Sequence, residues 1–363
     1  MNKNYNIKVF DKDGNFLSVV DGSKRISKIR FSEIINGGQR ELNIDLKYDF
    51  DNHPDYFSPF NFIRVYAVTS NYPKGTLIYS GWISKVIGLK DGIRVTALGL
   101  ASMLNLSLYK DGSLFDVEKM NEDPATIVND IISTFQAEYP PTSGYEWIGT
   151  DEVTGIRSGG NVDTVGTTVN FTFQKMTWLR AMAKCVELAG GTWFWYVDKG
   201  GDVYFREKPS TPTHKFTIDK DIQDFNIPHS IEKIVNDVTV AYDVGIVRSF
   251  NSTSVNTYGR REIYIDESSS SDSTSAQQIA DQKIAEGKDR KVATTLVINN
   301  AYNIETIRAG DTCRVMNYRK DSDILIDNML IIQADYSEDT IKLRLEEQGL
   351  DFGGTLQSFV QKI

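Results

Sequence analysis

The chain has 363 residues, 40% of them hydrophobic and 25% charged, with a formal net charge of −9. That length implies two or three domains rather than one core, and the composition is that of an ordinary soluble globular protein. Two cysteines rule out a disulfide scaffold. The absence of a dense Lys/Arg cluster argues against a face built to grip nucleic acid or membrane, and the absence of an apolar run of about 18 residues argues against a spanning segment. The acidic balance serves solubility and would also suit a channel wall that repels phosphates. Met1 to Asn6 carry no apolar signal region, so the chain is expected to be made and folded in a cytoplasm.

The N-terminal region reads as successive strands. Phe10 to Phe16 form a hairpin whose Asp13-Gly14 pair tolerates the positive φ of a tight reversal. Leu42, Ile44, Leu46 and Tyr48 alternate with Glu41, Asn43, Asp45 and Lys47, the period of a half-buried strand with a wet face. Ile63 to Val68 and Leu77 to Ile83 continue the sheet, and Asp91-Gly92 turns the chain into Ile93 to Ala97. Aromatics at 11% favour the same pleated surfaces. Short reversals without crossover helices imply an antiparallel barrel or sandwich.

Beyond residue 105 the pattern changes. Asp123-Pro124 opens a helix, the carboxylate capping free amides and the proline costing nothing at the first position. Ile127, Val128, Ile131, Ile132 and Phe135 form its apolar face, and Pro140-Pro141 ends it. Residues 141–170 read as loop with short strands. Thr177 opens a second helix carrying Trp178, Leu179, Met182, Ala183, Cys185 and Val186, and Gly190-Gly191 stops it. Trp193 to Val197 and Asp202 to Phe205 make a hairpin around Lys199-Gly200-Gly201, completing an α+β unit.

From residue 213 strands return, marked by Val238 and Val240, Ile263 and Ile265, Thr294 to Ile298, and Ile341 to Leu345; Cys313 sits at the start of one of them. The serine-rich stretch Ser268 to Ser275, with Asp272 inside it, reads as a capped approach to a helix bearing Ala276, Ile279, Ala280 and Ile284. The expected fold class is therefore mainly β with an α+β insertion, with two antiparallel barrel-like domains in tandem. The boundaries are 1–105 for the first barrel, 106–212 for the insertion, 213–350 for the second barrel with a helical excursion near 272–288, and 351–363 for an amphipathic tail. On that tail Leu356, Phe359, Val360 and Ile363 form a stripe too short to hold alone in water, suited to packing or to docking a partner.

Motifs of chemistry are missing. His53, His214 and His229 lie far apart, without metal-ligand spacing. No nucleophile elbow or phosphate-cradling loop occurs, and Asp11 to Gly14 lacks the twelfth-position carboxylate of a calcium loop. No catalytic residue, metal or cofactor is assigned. A glycosidase carboxylate pair leaves no sequence signature, and Trp193, Trp195, Tyr204 and Trp147 could stack on sugars. The competing reading makes those rings packing.

The order of elements from Asn236-Asp237-Val238-Thr239-Val240 through Tyr258-Gly259-Arg260-Arg261-Glu262, the Ala-rich helix, and Ile307-Arg308-Ala309-Gly310-Asp311-Thr312 resembles the second half of phage tail hub proteins. The Thr177 helix with its Trp-rich hairpin resembles the insertion of that family, and Ser80-Gly81-Trp82-Ile83 its first barrel. The resemblance covers most of residues 5–350 and extends to the hub portion of type VI secretion spikes. It implies a non-enzymatic, trimeric structural protein of the virion tail tip, assembled in the host cytoplasm. That ring would adapt a six-fold tube to a three-fold spike or fibre. Implied partners are a distal tail or tail-tube protein, a tape-measure protein, and a spike, fibre or receptor-binding protein, with DNA passing the lumen unread. Many members continue into a peptidase, lysozyme or fibre, and this sequence stops at Ile363, so any such activity in the tail is expected to belong to a separate partner. The rival readings are a carbohydrate-binding receptor-recognition module and a cell-wall hydrolase.

Overall fold

The computed structural model describes residues 4–48, 54–69, 72–112, 114–139, 156–190, 193–226, 229–230, 234–288, 291–292, 294–299, 304–316 and 324–346. The first region forms β1 (Asn4–Phe10), β2 (Phe16–Asp21), the helical turn α1 (Gly22–Arg25), β3 (Ile26–Ile34), β4 (Gly37–Leu46), β5 (Phe62–Thr69), β6 (Tyr72–Leu89) and β7 (Gly92–Gly99). Next come β8 (Asp116–Glu122), α2 (Pro124–Glu138), β9 (Arg157–Val162), β10 (Val169–Gln174), α3 (Trp178–Ala189), β11 (Trp193–Val197) and β12 (Asp202–Glu207). The last region opens with β13 (His214–Thr217), β14 (Ile222–Asn226), β15 (His229–Ser230), β16 (Asp237–Tyr242), β17 (Gly245–Phe250), α4 (Ser252–Tyr258) and β18 (Glu262–Asp266). It closes with α5 (Ser273–Gly287), β19 (Lys291–Val292), β20 (Thr294–Asn299), β21 (Thr312–Met316), β22 (Ile324–Tyr336) and β23 (Thr340–Glu346).

The local signals fold as their chemistry demands. Asp11 accepts the Asp13 and Asn15 amides at 2.9 and 2.8 Å and closes the β1–β2 hairpin. Asp123 caps α2 through the Ala125 amide, with Pro124 at the first position. Thr177 caps α3 through the Arg180 amide, and Gly190 ends it at φ +70°. Asp272 caps α5 by accepting the Thr274 and Ser275 amides. The seven-residue α4, capped by Asn251, has no apolar stripe and was not expected.

One antiparallel path runs β14-β20-β23-β22-β3-β4-β7-β6-β5-β1-β2, so the first and last regions are zipped together where β22 pairs with β3. Across that seam Phe31 stacks on Tyr336 at 4.3 Å and 13°. Ile7, Ile44 and Val95 from the first region share one core with Leu296, Ile331 and Leu343 from the last.

A second core lies in the α+β unit, around Ile131, Trp178, Met182, Trp195 and Phe205. It also takes Val238, Val240, Ala276, Ile279 and Ile284. The expectation that Val238, Val240, Ile263 and Ile265 continue the second barrel is therefore corrected: they form a separate three-stranded sheet, β17-β16-β18. Alternation marks a strand with one dry face but does not say which core that face meets. The excursion is correspondingly wider than the helix alone. It is tied to α3 by Lys184, whose ammonium bonds Glu187 at 2.8 Å and also pairs with Glu267.

Candidate functional site

Two surfaces gather polar groups. The first is the wet face of β3, β4, β7 and β6. The antiparallel register sets Arg30, Asn43, Thr96 and Lys85 in one cross-strand row and Lys28, Asp45, Arg94 and Ile87 in the next. With Glu41 they line a groove of about 280 Å³. Arg94 grips Asp45 through two bonds of 2.6 and 2.9 Å, which hold that carboxyl below its ordinary range. Thr96 donates to Asn43, which donates to Glu41. Lys28, Arg30 and Lys85 form no hydrogen bond or ion pair among the described residues. Four cations against two carboxylates make this groove basic on an acidic chain, the reverse of what net charge suggested.

The second surface is a cavity of about 170 Å³ where the β11–β12 hairpin meets the sheet, walled by Glu33, Gly38, Tyr196, Asp198, Lys199, Tyr204, Arg308 and Ala309. The hairpin is held there by backbone. Asn36, at φ +57°, donates its amide to the Trp195 carbonyl at 2.6 Å and accepts the Trp195 amide on its side chain at 3.2 Å. β11 pairs in parallel with β4 through Tyr196–Gly37 and Val197–Gly38. Gly38 sits at φ +106°, and a Cβ there would lie 2.1 Å from the Val197 carbonyl oxygen. Gly310, at φ +95°, likewise lies against Phe194.

Charges converge beside this joint. The Tyr336 hydroxyl shares its one proton between Glu33 at 3.1 Å and the Ile307 carbonyl at 2.5 Å, and Arg308 donates to that hydroxyl at 3.4 Å. Burial opposes the Arg308 charge, but Glu33 and Tyr336 outweigh it and raise its pKa. Lys199 is pushed down to about 8 by burial and by the neighbouring Arg308. Tyr196 stacks on Tyr204 at 4.7 Å and 2°, with the Arg206 guanidinium over both rings.

The sugar-stacking trio does not form a platform. Trp195 is fully buried. The register puts Trp193 and Trp195 on the hairpin face that carries Phe205, whereas Tyr204 lies opposite Tyr196 on the other face. Trp147, His53, Leu356, Phe359, Val360 and Ile363 lie outside the described residues. His214 pairs with Asp311 at 3.0 Å. Cys185 and Cys313 are buried, and burial raises both thiols. Among the described residues no three His, Cys, Asp or Glu side chains converge as a metal site, and no helix is long and apolar enough to cross a membrane. Sequence reading missed Glu33, Lys199 and Arg308 as one cluster. Its signals were the Lys199-Gly200-Gly201 turn, read as local punctuation, and Arg308-Ala309-Gly310, read only as part of a family resemblance.

Among solved structures, the fold is similar to a 43 kDa tail protein of prophage MuSo2 from Shewanella oneidensis, with TM-score 0.62 and 12% identity over 94% of this chain and 98% of that one. It is similar to a tail protein from Neisseria meningitidis MC58, with TM-score 0.60 and 10% identity over 94% and 96%. It is also similar to prophage tail protein gp18 from Listeria monocytogenes EGD-e, with TM-score 0.59 and 10% identity over 99% of both chains. At such identities the likeness is one of fold. No protein-family model and no curated protein matches the chain by sequence.

Proposed function

We propose that this chain is a structural subunit of a phage tail tip, a baseplate hub that works as a ring of three. The observation that carries the reading is the fold match to three tail proteins, which spans nearly the whole of both chains in each pair. Regions 1–105 and 213–350 serve as two tube units per copy, so three copies offer six to a six-fold tube and three to a spike or fibre. The β22–β3 pairing supports this by fixing the two units in one orientation.

The sheet path ends in β2 and β14, which leave Leu17, Val19 and Phe225 exposed. Open edges of this kind invite pairing with another chain, and a closed ring would match one copy's edge to the next. The unit at 106–212 and the tail bearing Leu356, Phe359, Val360 and Ile363 meet the distal tail, tape-measure and spike or fibre partners. DNA crosses the lumen without being read, and no bond is broken. Assembly takes place in the host cytoplasm before the virion is complete.

Light scattering and negative-stain electron microscopy of the purified chain test the ring. A species of three copies with a three-fold annulus is expected. A single-copy mass at every concentration, with no annulus in any class average, would refute it.

A further inference from the structure

The cavity beneath the β11–β12 hairpin has walls whose hydrogen-bonding groups are unevenly used. Most of its acceptors are engaged: Glu33 takes the Tyr336 hydroxyl and the Gln39 amide at 3.1 and 3.3 Å, and Asp198 takes the Gly200 and Asp202 amides at 2.8 and 2.9 Å, both on Oδ1, so that Oδ2 alone has no partner among the described residues. Its donors are not. The Lys199 ammonium and the Tyr196 and Tyr204 hydroxyls form no hydrogen bond with any described residue. Arg308 commits only Nη1, to the Ile307 carbonyl at 2.9 Å and the Tyr336 hydroxyl.

We propose that this cavity is a binding site for a small oxyanion, a phosphate or carboxylate group held between Lys199 and Arg308 and oriented by the Tyr196 and Tyr204 hydroxyls. The inference does not depend on a role in a tail. A volume of about 170 Å³ admits one such group, whereas drug-sized ligands need about 300–1,000 Å³. A neutral sugar brings donors and acceptors in equal measure, whereas here three unpaired donor groups, Lys199, Tyr196 and Tyr204, face one unpaired acceptor oxygen, Asp198 Oδ2. Burial first and the neighbouring Arg308 second make Lys199 give up its proton more readily, against the partial support of Glu33 and Asp198. An anion between the two cations removes their repulsion and strengthens both hydrogen bonds through charge. The same group can come from solution as free phosphate or from an acidic side chain of a second copy.

Acetylation of Lys199 in the intact chain, followed by mass spectrometry near pH 8, distinguishes these sources. An oxyanion against the ammonium raises its pKa, and near pH 8 the first unit of rise from about 8 cuts the reactive free amine about fivefold. Inorganic phosphate should therefore slow Lys199 acetylation about fivefold relative to chloride at equal ionic strength, leaving exposed Lys90 unaffected. A phosphate-dependent rise in Tm should vanish in Lys199→Gln and shrink in Tyr204→Phe. Protection that appears instead with protein concentration, without phosphate, assigns the group to a second copy. Equal acetylation rates in phosphate, in chloride and at every protein concentration would overturn the site.

Discussion

The two cores are built from opposite materials. The sheet core is fed by strands from both ends of the chain, each giving alternate residues to one dry face, as Leu42, Ile44 and Leu46 do in β4 and Ile341, Leu343 and Leu345 in β23. The mixed core is fed by two helices, a hairpin buried on both faces and an excursion lent by the last region. The lesson is that a pattern of period two fixes an element and its dry face, while the partner of that face is a long-range choice. Val238 and Val240 alternate as cleanly as Leu296 and Ile298, yet the two pairs end in different cores.

Removing the largest ring of the mixed core is the strongest way to test that division. Trp178 is fully buried and donates to Ser107 at 3.0 Å, so Trp178→Ala should cost about 3–5 kcal/mol in urea denaturation. Amide exchange should speed up in α3 and hardly change in β20 and β23; uniform acceleration would mean the cores are one. Gly38→Ala strikes the joint between them. The left-handed backbone alone costs about 1–3 kcal/mol, the contact with Val197 adds to it, and exchange should rise on both sides.

Asp272→Ala, which uncaps α5, should cost about 1 kcal/mol. Burial would raise that carboxyl, but bonds from Ser275, Thr274 and Asn170 outweigh it and hold its pKa below the ordinary value. Its contribution is thus whole above about pH 4, the unfolded value, and fades as pH falls through the lower folded value. The variant should flatten the acid limb of a stability–pH curve; an unchanged limb would show that the cap carries no such linkage. Arg94→Gln, in the basic groove, should move stability least, by about 1 kcal/mol or less, because the exposed guanidinium is screened by water. A larger loss in thermal unfolding would make the groove part of the scaffold.

Much of this architecture was legible locally. Asp13-Gly14, Asp123-Pro124, Thr177, Gly190 and Asp272 mark turns and helix ends because each satisfies a backbone requirement within a few residues. Pairings between distant segments were not legible. β11 with β4, β13 with β21 and β16 with β18 are parallel and carry no turn between them to announce the match. The cavity was hidden for the same reason: Glu33, Lys199 and Arg308 belong to three regions and meet only after the hairpin has docked. The aromatic trio admitted two readings because Trp193, Trp195 and Tyr204 look alike in sequence while the pleat sends them to opposite faces.

The seam between β3 and β22 also sets a schedule. Glu33 and Tyr336, hydrogen-bonded in the finished molecule, are 303 residues apart. At about 5–20 residues per second, a ribosome needs roughly 15–60 seconds to travel from one to the other. Throughout that interval the edge of β3 facing β22 is without its native neighbour on the nascent chain, in a form prone to mispairing. The early half must therefore wait for the late half, and the sheet can close only once β22 has been made.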